Sequence, residues 1–228
     1  MHDELHEEKI YLSLSGDMKI TFMGVIDKLK YKDLGDKTIV AIIDYKTGNP
    51  NLDLTTIKYG IGMQLPIYLY LASNSKKIKN IEVGGFYLQK ILNNEVTCDD
   101  EHSYEEVKKK NLLLQGYSSD NQDILSELDS SFNDSKMIRS MKTKVDGSFS
   151  HYAKVLSKEQ MDKLTKIAKD KISEGAKKII DAEYEISPKK IGNINYGCSL
   201  CKYSDICFRT NADIEELQTL SIDDIFKG

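Results

Sequence analysis

The chain has 228 residues, 40% of them hydrophobic and 30% charged, which suits one globular domain with at most a small appendage and excludes a disordered chain. No apolar run approaches ~20 residues and the start Met1-His2-Asp3-Glu4 is the opposite of a signal peptide, so no membrane span is expected and a cytoplasmic location with reduced cysteines is. The formal charge of −4 speaks only weakly against nucleic acid, because only a contacting face must be basic.

Residues 1–9 are acidic and read as a solvated terminus; His2 and His6 could also be a metal-binding pair, but no apolar stripe supports that helix. Ile10 to Leu14 reads as a strand, with a turn at Ser15-Gly16-Asp17. Met18 to Tyr31 is a long strand interrupted by Gly24. A turn containing Gly35 leads to Lys37–Lys46, where five consecutive apolar residues, Ile39 to Ile43, leave neither face polar. That is the pattern of a strand buried on both sides. Together these read as an antiparallel meander.

The buried strand ends in Asp44-Tyr45-Lys46, then turns at Gly48. Alternation sends Asp44 and Lys46 to one face and Tyr45 to the other. A carboxylate there is costly unless a metal, a cation or hydrogen bonds satisfy it. Asp27 supplies a second acid at the end of Gly24-Val25-Ile26. Two hard oxygen ligands and one ammonium are the composition of a magnesium-dependent phosphodiesterase site. The bland alternative is an ion pair within the sheet.

Thr56–Ser73 carries apolar residues at helical spacing, with Gln64 and Tyr68 on one face. Pro66 must sit in the first turn or kink the helix. Ile81–Leu88 reads as a strand whose Gly84-Gly85 permits close packing or a bulge. Residues 93–150 are polar with short apolar islands and read as a surface lobe of long loops. Ser157–Ala182 is the clearest helix, opened by a capping box of Ser157 with Gln160 and striped by Met161, Leu164, Ile167, Ala168, Ile172, Ala176, Ile179 and Ile180. Its lysines alternate with acids, which favours a solvated face over a DNA track. Cys198, Cys201 and Cys207 follow, then an acidic tail over 211–228 whose Ile214, Leu217, Leu220, Ile222 and Ile225 can form a docking face.

Gly24-Val25-Ile26-Asp27-Lys28, Ile43-Asp44-Tyr45-Lys46, Gln64-Leu65-Pro66-Ile67-Tyr68 and the three spaced cysteines, in that order, resemble the PD-(D/E)XK nuclease superfamily. Within it they are most similar to the C-terminal nuclease domain of the AddB type, found in bacterial helicase-nucleases. The resemblance implies an α/β, restriction-endonuclease-like mixed sheet flanked by helices, over residues 1–210, with 93–150 inserted and a cysteine knuckle at 188–210. It implies that Asp27, Asp44 and the Tyr45 carbonyl bind Mg²⁺ or Mn²⁺, that Lys46 orients the attacking water, and that Gln64 and Tyr68 position the site. It implies further a deoxyribonuclease, an exonuclease acting in double-strand break repair by recombination. The partners would be the AddA-type helicase-nuclease chain, in a heterodimer, and a single strand of DNA delivered from a duplex end. Cys198, Cys201 and Cys207 would hold part of a 4Fe–4S cluster, which takes four thiolates; Cys98 sits in the polar lobe and does not correspond to the fourth.

The sequence departs from the family in Lys28 and Lys30, which stand where arginine and an acid are common and are expected to make the local face more basic. It also lacks an upstream histidine-bearing helix, so the chain looks like a C-terminal piece of a longer protein. Two other readings remain: a DNA-holding module with little or no activity, and a CRISPR-associated adaptation nuclease.

Overall fold

The computed structural model describes residues 2–13, 19–91, 103–199 and 201–227, the side chains of 2–7 and of 13 excepted. The chain divides into two compact units, residues 1–52 with 64–169, and residues 53–63 with 170–228.

The first unit is built on a mixed sheet of six strands, in spatial order β1 to β6. Strands β1 (His2–Ser13), β2 (Lys19–Asp33) and β3 (Thr38–Lys46) form the expected antiparallel meander. Strand β4 (Ile81–Lys90) lies parallel to β3, β5 (Gln115–Ser119) antiparallel to β4, and β6 (Val155–Leu156) parallel to β5. A parallel neighbour needs a crossover, and α1 (Gln64–Ser73) supplies its helix, with Pro66 in the first turn where its missing N–H costs nothing. The helix sits close: a Cβ on Gly24 would lie 2.5 Å from Leu71 Cδ1, so the glycine that interrupts β2 makes room for α1.

Residues Thr38 to Asp44 of β3 are all buried, as the unbroken apolar run predicts. Ala41 and Ile43 pack with Tyr87, Leu114, Leu125 and Phe132 on one face, and Tyr45 lies against that cluster. The alternate residues Ile42, Asp44 and Lys46 therefore face the α1 side.

Three readings are corrected here. β1 begins at His2, so the acidic start is paired along β2 rather than free in solvent; main-chain pairing does not require apolar side chains. The side chains of His2 and His6, and the turn at Ser15-Gly16-Asp17, lie outside the described residues. The segment read as loops holds α2 (Tyr104–Asn111), β5 and α3 (Gln122–Leu128), and its islands Leu114 and Leu125 fill the core. Helix α2 buries none of its residues and α3 only Ile124 and Leu125, too few to produce a period. Helix α4 (Lys158–Ile180) has the expected capping box, the Ser157 N–H donating to Gln160 Oε1 at 2.8 Å and the Gln160 N–H to Ser157 Oγ at 3.3 Å. Its stripe is buried at Met161, Leu164 and Ala168, but Ile179 and Ile180 are exposed.

Two bulges set the pairing of the first unit. Between Glu4 and His6, β1 advances two residues while β2 moves three, from Leu29 to Ile26, so β2 carries an extra residue at Asp27–Lys28. Between Val40 and Ala41 of β3, the partners on β4 are Val83 and Gly85, which leaves Gly84 as the extra residue.

In the second unit a 3-10 turn, Leu54–Tyr59, is capped by Asp53. Strand β7 (Lys189–Ile191) lies between β8 (Ile194–Asn195) and β9 (Glu215–Leu217). The tail closes with α5 (Ile222–Phe226), which buries Ile225. The Tyr59 hydroxyl donates to the Gln218 carbonyl at 3.0 Å, and Lys189 Nζ to the Tyr59 carbonyl at 2.6 Å. Among the described residues no helix is long and apolar enough to cross a membrane.

Candidate active site

Lys28 opposite Ile43 is the last residue pair between β2 and β3. Past it, the N–H of Tyr45 has no partner on the β2 backbone. The Asp27 side chain takes that place, its Oδ2 accepting from the Tyr45 N–H at 3.1 Å. The β2 bulge at Asp27–Lys28 falls at the residue that supplies this carboxylate.

Asp44 is 1% exposed. Its Oδ1 accepts from Gln64 Nε2 at 2.7 Å. Its Oδ2 lies 2.5 Å from Lys46 Nζ, an ion pair whose angle leaves Oδ2 without an aligned hydrogen-bond donor. Burial raises the Asp44 carboxyl above the usual carboxylate range; the Lys46 ammonium opposes that shift, and the nearby Asp27 carboxyl adds to it.

Gln64 joins these groups. Its Oε1 accepts from Lys46 Nζ at 2.6 Å, and its Nε2 donates to Asp44 and, at 3.2 Å, to the Tyr68 hydroxyl. An ammonium on one side and a carboxylate on the other permit only this orientation of the amide. Gln64 opens α1, so the positive end of that helix also lies at Asp44.

The residues suit a divalent ion. A buried carboxylate oxygen without an aligned donor, with a second carboxylate beside it, is costly alone and is satisfied by a hard cation. Mg²⁺ keeps several waters and takes one or two protein carboxylates plus substrate phosphate. Among the described residues no three Cys, His, Asp or Glu side chains gather as a ligand group, so Asp27 and Asp44 would be the carboxylate share.

The sequence-predicted residues Asp27, Asp44, Tyr45, Lys46, Gln64 and Tyr68 thus come together at one end of the sheet. The side chain of Tyr45 points away, into the opposite cluster. Lys28 and Lys30, expected to make this face more basic, are opposite Ile43 and Ala41, whose side chains belong to that other cluster. Lys30 accordingly lines a small cavity with Ala41, Ile43 and Tyr87. Sequence reading missed Lys90, which the Gly84 bulge sets beside Lys46, and Asn49, whose Oδ1 accepts from Lys90 Nζ at 2.9 Å. The double glycine was the available signal, but it does not say which way the register moves.

Residues 188–210, where the cysteine knuckle is expected, carry β7, β8 and three cysteines. Cys198, Cys201 and Cys207 are free thiols outside any ligand group among the described residues. The Cys201 N–H donates to the Cys198 carbonyl at 3.1 Å, and the Tyr203 N–H to Cys201 Sγ at 3.4 Å. Cys98 lies outside the described residues. A recess of about 460 Å³ near Val83, Ser119 and Ser157 is at the far end of β4 and contains none of the site residues.

A mixed sheet whose adjoining strand ends present two carboxylates and a lysine, locked by a helical glutamine, has the residue types of a phosphodiester-cleaving nuclease site. The sequence profile of the PD-(D/E)XK nuclease superfamily matches residues 2–208, and the chain belongs to that superfamily. It is similar to proteins named as the B component of an ATP-dependent helicase/deoxyribonuclease. One from a Thermoanaerobacter species is 33% identical over 208 residues, 89% of this chain and 18% of that protein. One from Caldanaerobacter subterraneus is 32% identical over 209 residues, 89% and 18% of the two chains. One from Listeria welshimeri is 28% identical over 204 residues, 86% and 18%. The chain thus spans under a fifth of the length of these relatives.

Proposed function

We propose that this chain is a Mg²⁺- or Mn²⁺-dependent deoxyribonuclease domain. The observation that carries the reading is the buried Asp44 carboxylate, with one oxygen held by Gln64 and the other facing Lys46 without an aligned donor. Asp27, Asp44 and the Tyr45 carbonyl would hold the ion. When bound, it supplies Lewis-acid charge to the phosphate and acidifies a water. Lys46 orients the attacking water and offsets charge developing on the phosphoryl oxygens. Gln64 holds Asp44 and Lys46 in fixed relation, and Tyr68 steadies the Gln64 amide.

The names of the relatives support a deoxyribonuclease that works as a subunit beside a helicase; the resemblance to the AddB type carries the wider proposal. The domain acts as an exonuclease on a single strand delivered from a duplex end, in a heterodimer with an AddA-type helicase-nuclease chain, during recombinational repair. Cys198, Cys201 and Cys207 would contribute three thiolates to a 4Fe–4S cluster whose fourth ligand comes from elsewhere, so iron retention is a separate question from cutting.

The test is cutting of linear single-stranded DNA with Mg²⁺ and with EDTA, for the wild-type chain and for Asp44→Ala and Lys46→Ala. The expected result is Mg²⁺-dependent cutting that both substitutions abolish. Wild-type DNA binding without cutting under any divalent ion would overturn the enzyme reading in favour of a DNA-holding module.

A further inference from the structure

The reading of the site as a nuclease leaves an electrostatic problem. Asp27 and Asp44 carry two negative charges, and Lys46 is occupied by Asp44 and Gln64. Lys28 and Lys30 face the other side of the sheet. The ion of the proposed site would offset the two carboxylates and serve the phosphate that is cut, so a neighbouring phosphate needs a further cation on the same face.

Lys90 meets that need. It ends β4 and is the register partner of Lys46 on the parallel strand β3, so the two side chains leave the sheet on the same face. The pairing is secured past the strand end by the Ile91 N–H, which donates to the Lys46 carbonyl at 3.0 Å. It exists because of the Gly84 bulge; without that extra residue Gln89 and Lys90 would exchange faces. Among the described residues Lys90 has no carboxylate partner. Its Nζ donates to the neutral Asn49 Oδ1 at 2.9 Å, which directs the ammonium without cancelling its charge. Neighbouring strands lie about 4.8 Å apart. A nucleic acid strand presents a phosphate for about every 3.4 Å of stacked rise, and farther apart when extended. Two adjoining strand ends can therefore take two successive phosphates.

We propose that Lys90, directed by Asn49, is a positioning residue that binds the DNA phosphate next to the one cut. This rests on the nuclease reading. The site would act on a polynucleotide in preference to an isolated phosphodiester, because one of its contacts lies a nucleotide away from the chemistry.

The experiment measures two things. Binding of a short fluorescein-labelled oligothymidylate is followed by anisotropy against salt concentration, in an Asp44→Asn background that leaves the probe intact. Steady-state cutting of the same oligonucleotide with Mg²⁺ is followed in the otherwise wild-type chain. Lys90→Ala should weaken binding and raise KM several-fold, leave kcat little changed, and make the log–log salt slope shallower by about 0.7, the value for one phosphate contact on a single strand. Lys90→Arg should restore most of the affinity, and Asn49→Ala should lower it less than Lys90→Ala does. An unchanged affinity and salt slope in Lys90→Ala overturns the proposal while the nuclease reading stands, provided that Asp44→Ala still abolishes cutting. A collapse of kcat at unchanged affinity overturns it too, because Lys90 would then act in the chemistry. A wild-type chain that neither binds nor cuts overturns both readings.

Discussion

Asp44 shows how the site costs stability. Burial disfavours its charged form, so its folded pKa stands above the ordinary carboxylate value. The folded state then holds the proton more tightly than the unfolded chain. The sign follows: Asp44 costs no stability at pH below the unfolded pKa, and its cost grows as pH rises through the raised folded pKa. At neutral pH without metal, Asp44→Asn should therefore leave the melting temperature unchanged or raise it by a few degrees, on the order of 1 kcal/mol, while abolishing cutting. A thermal melt beside a nuclease assay checks this, and a large fall in Tm would contradict it. Gln64→Ala frees both Asp44 and Lys46 without removing either, so its cost to kcat should be on the order of 10- to 100-fold, less than that of Lys46→Ala.

Elements place these residues through close approaches that glycine permits. Gly24 lies under Leu71 of α1, and Leu71 is fully buried. Gly24→Ala should cost about 1–3 kcal/mol by overpacking and, because α1 carries Gln64, should lower activity in the surviving folded fraction. Adding Leu71→Ala should recover part of the lost stability, a coupling that a double-mutant cycle reads directly. The bulges act differently. Each adds one residue to a strand, which moves side chains across the sheet without changing composition. The one at Gly84 sets Lys90 beside Lys46, and the one at Asp27–Lys28 falls at the residue whose carboxylate meets the end of β3.

For the whole molecule, every proposed catalytic group belongs to the six-stranded unit. A divalent ion that binds the folded site and not the unfolded chain must stabilise the fold by mass action, about 2.7 kcal/mol at one hundred times Kd. Mg²⁺ should thus raise the Tm by several degrees, and Asp44→Asn should remove most of that shift. The ion also competes with the proton on Asp44. Its apparent affinity should fall as pH drops through the raised Asp44 pKa, approaching about tenfold per pH unit below it. Calorimetric titration at a series of pH values tests this, and an affinity independent of pH would show that Asp44 is not a ligand.

What could be read without coordinates was whatever local chemistry forces. The run Ile39–Ile43 is apolar on both faces, as suits an inner strand, and it is buried throughout. The helix after Ser157 announced its own cap, and Pro66 left only a first turn or a kink, of which the structure takes the first turn. Asp44 stood out because a buried strand ending in an acid demands a partner, and Asp27 and Lys46 as the second acid and the ammonium near it; Gln64 and Tyr68 came only from the resemblance to the nuclease family. Tertiary structure alone decided the rest, for one physical reason: the face a side chain takes depends on register, and register is a property of two strands at once. No periodicity within β2 reveals that Lys28 and Lys30 turn away from the site, and none within β4 reveals that Lys90 turns toward it. The segment around Leu114 and Leu125 looked like loop because its few apolar residues acquire a common core only when brought against β3 and β4. The three cysteines show the same limit: their spacing does not say what completes a ligand set, and none is gathered among the described residues.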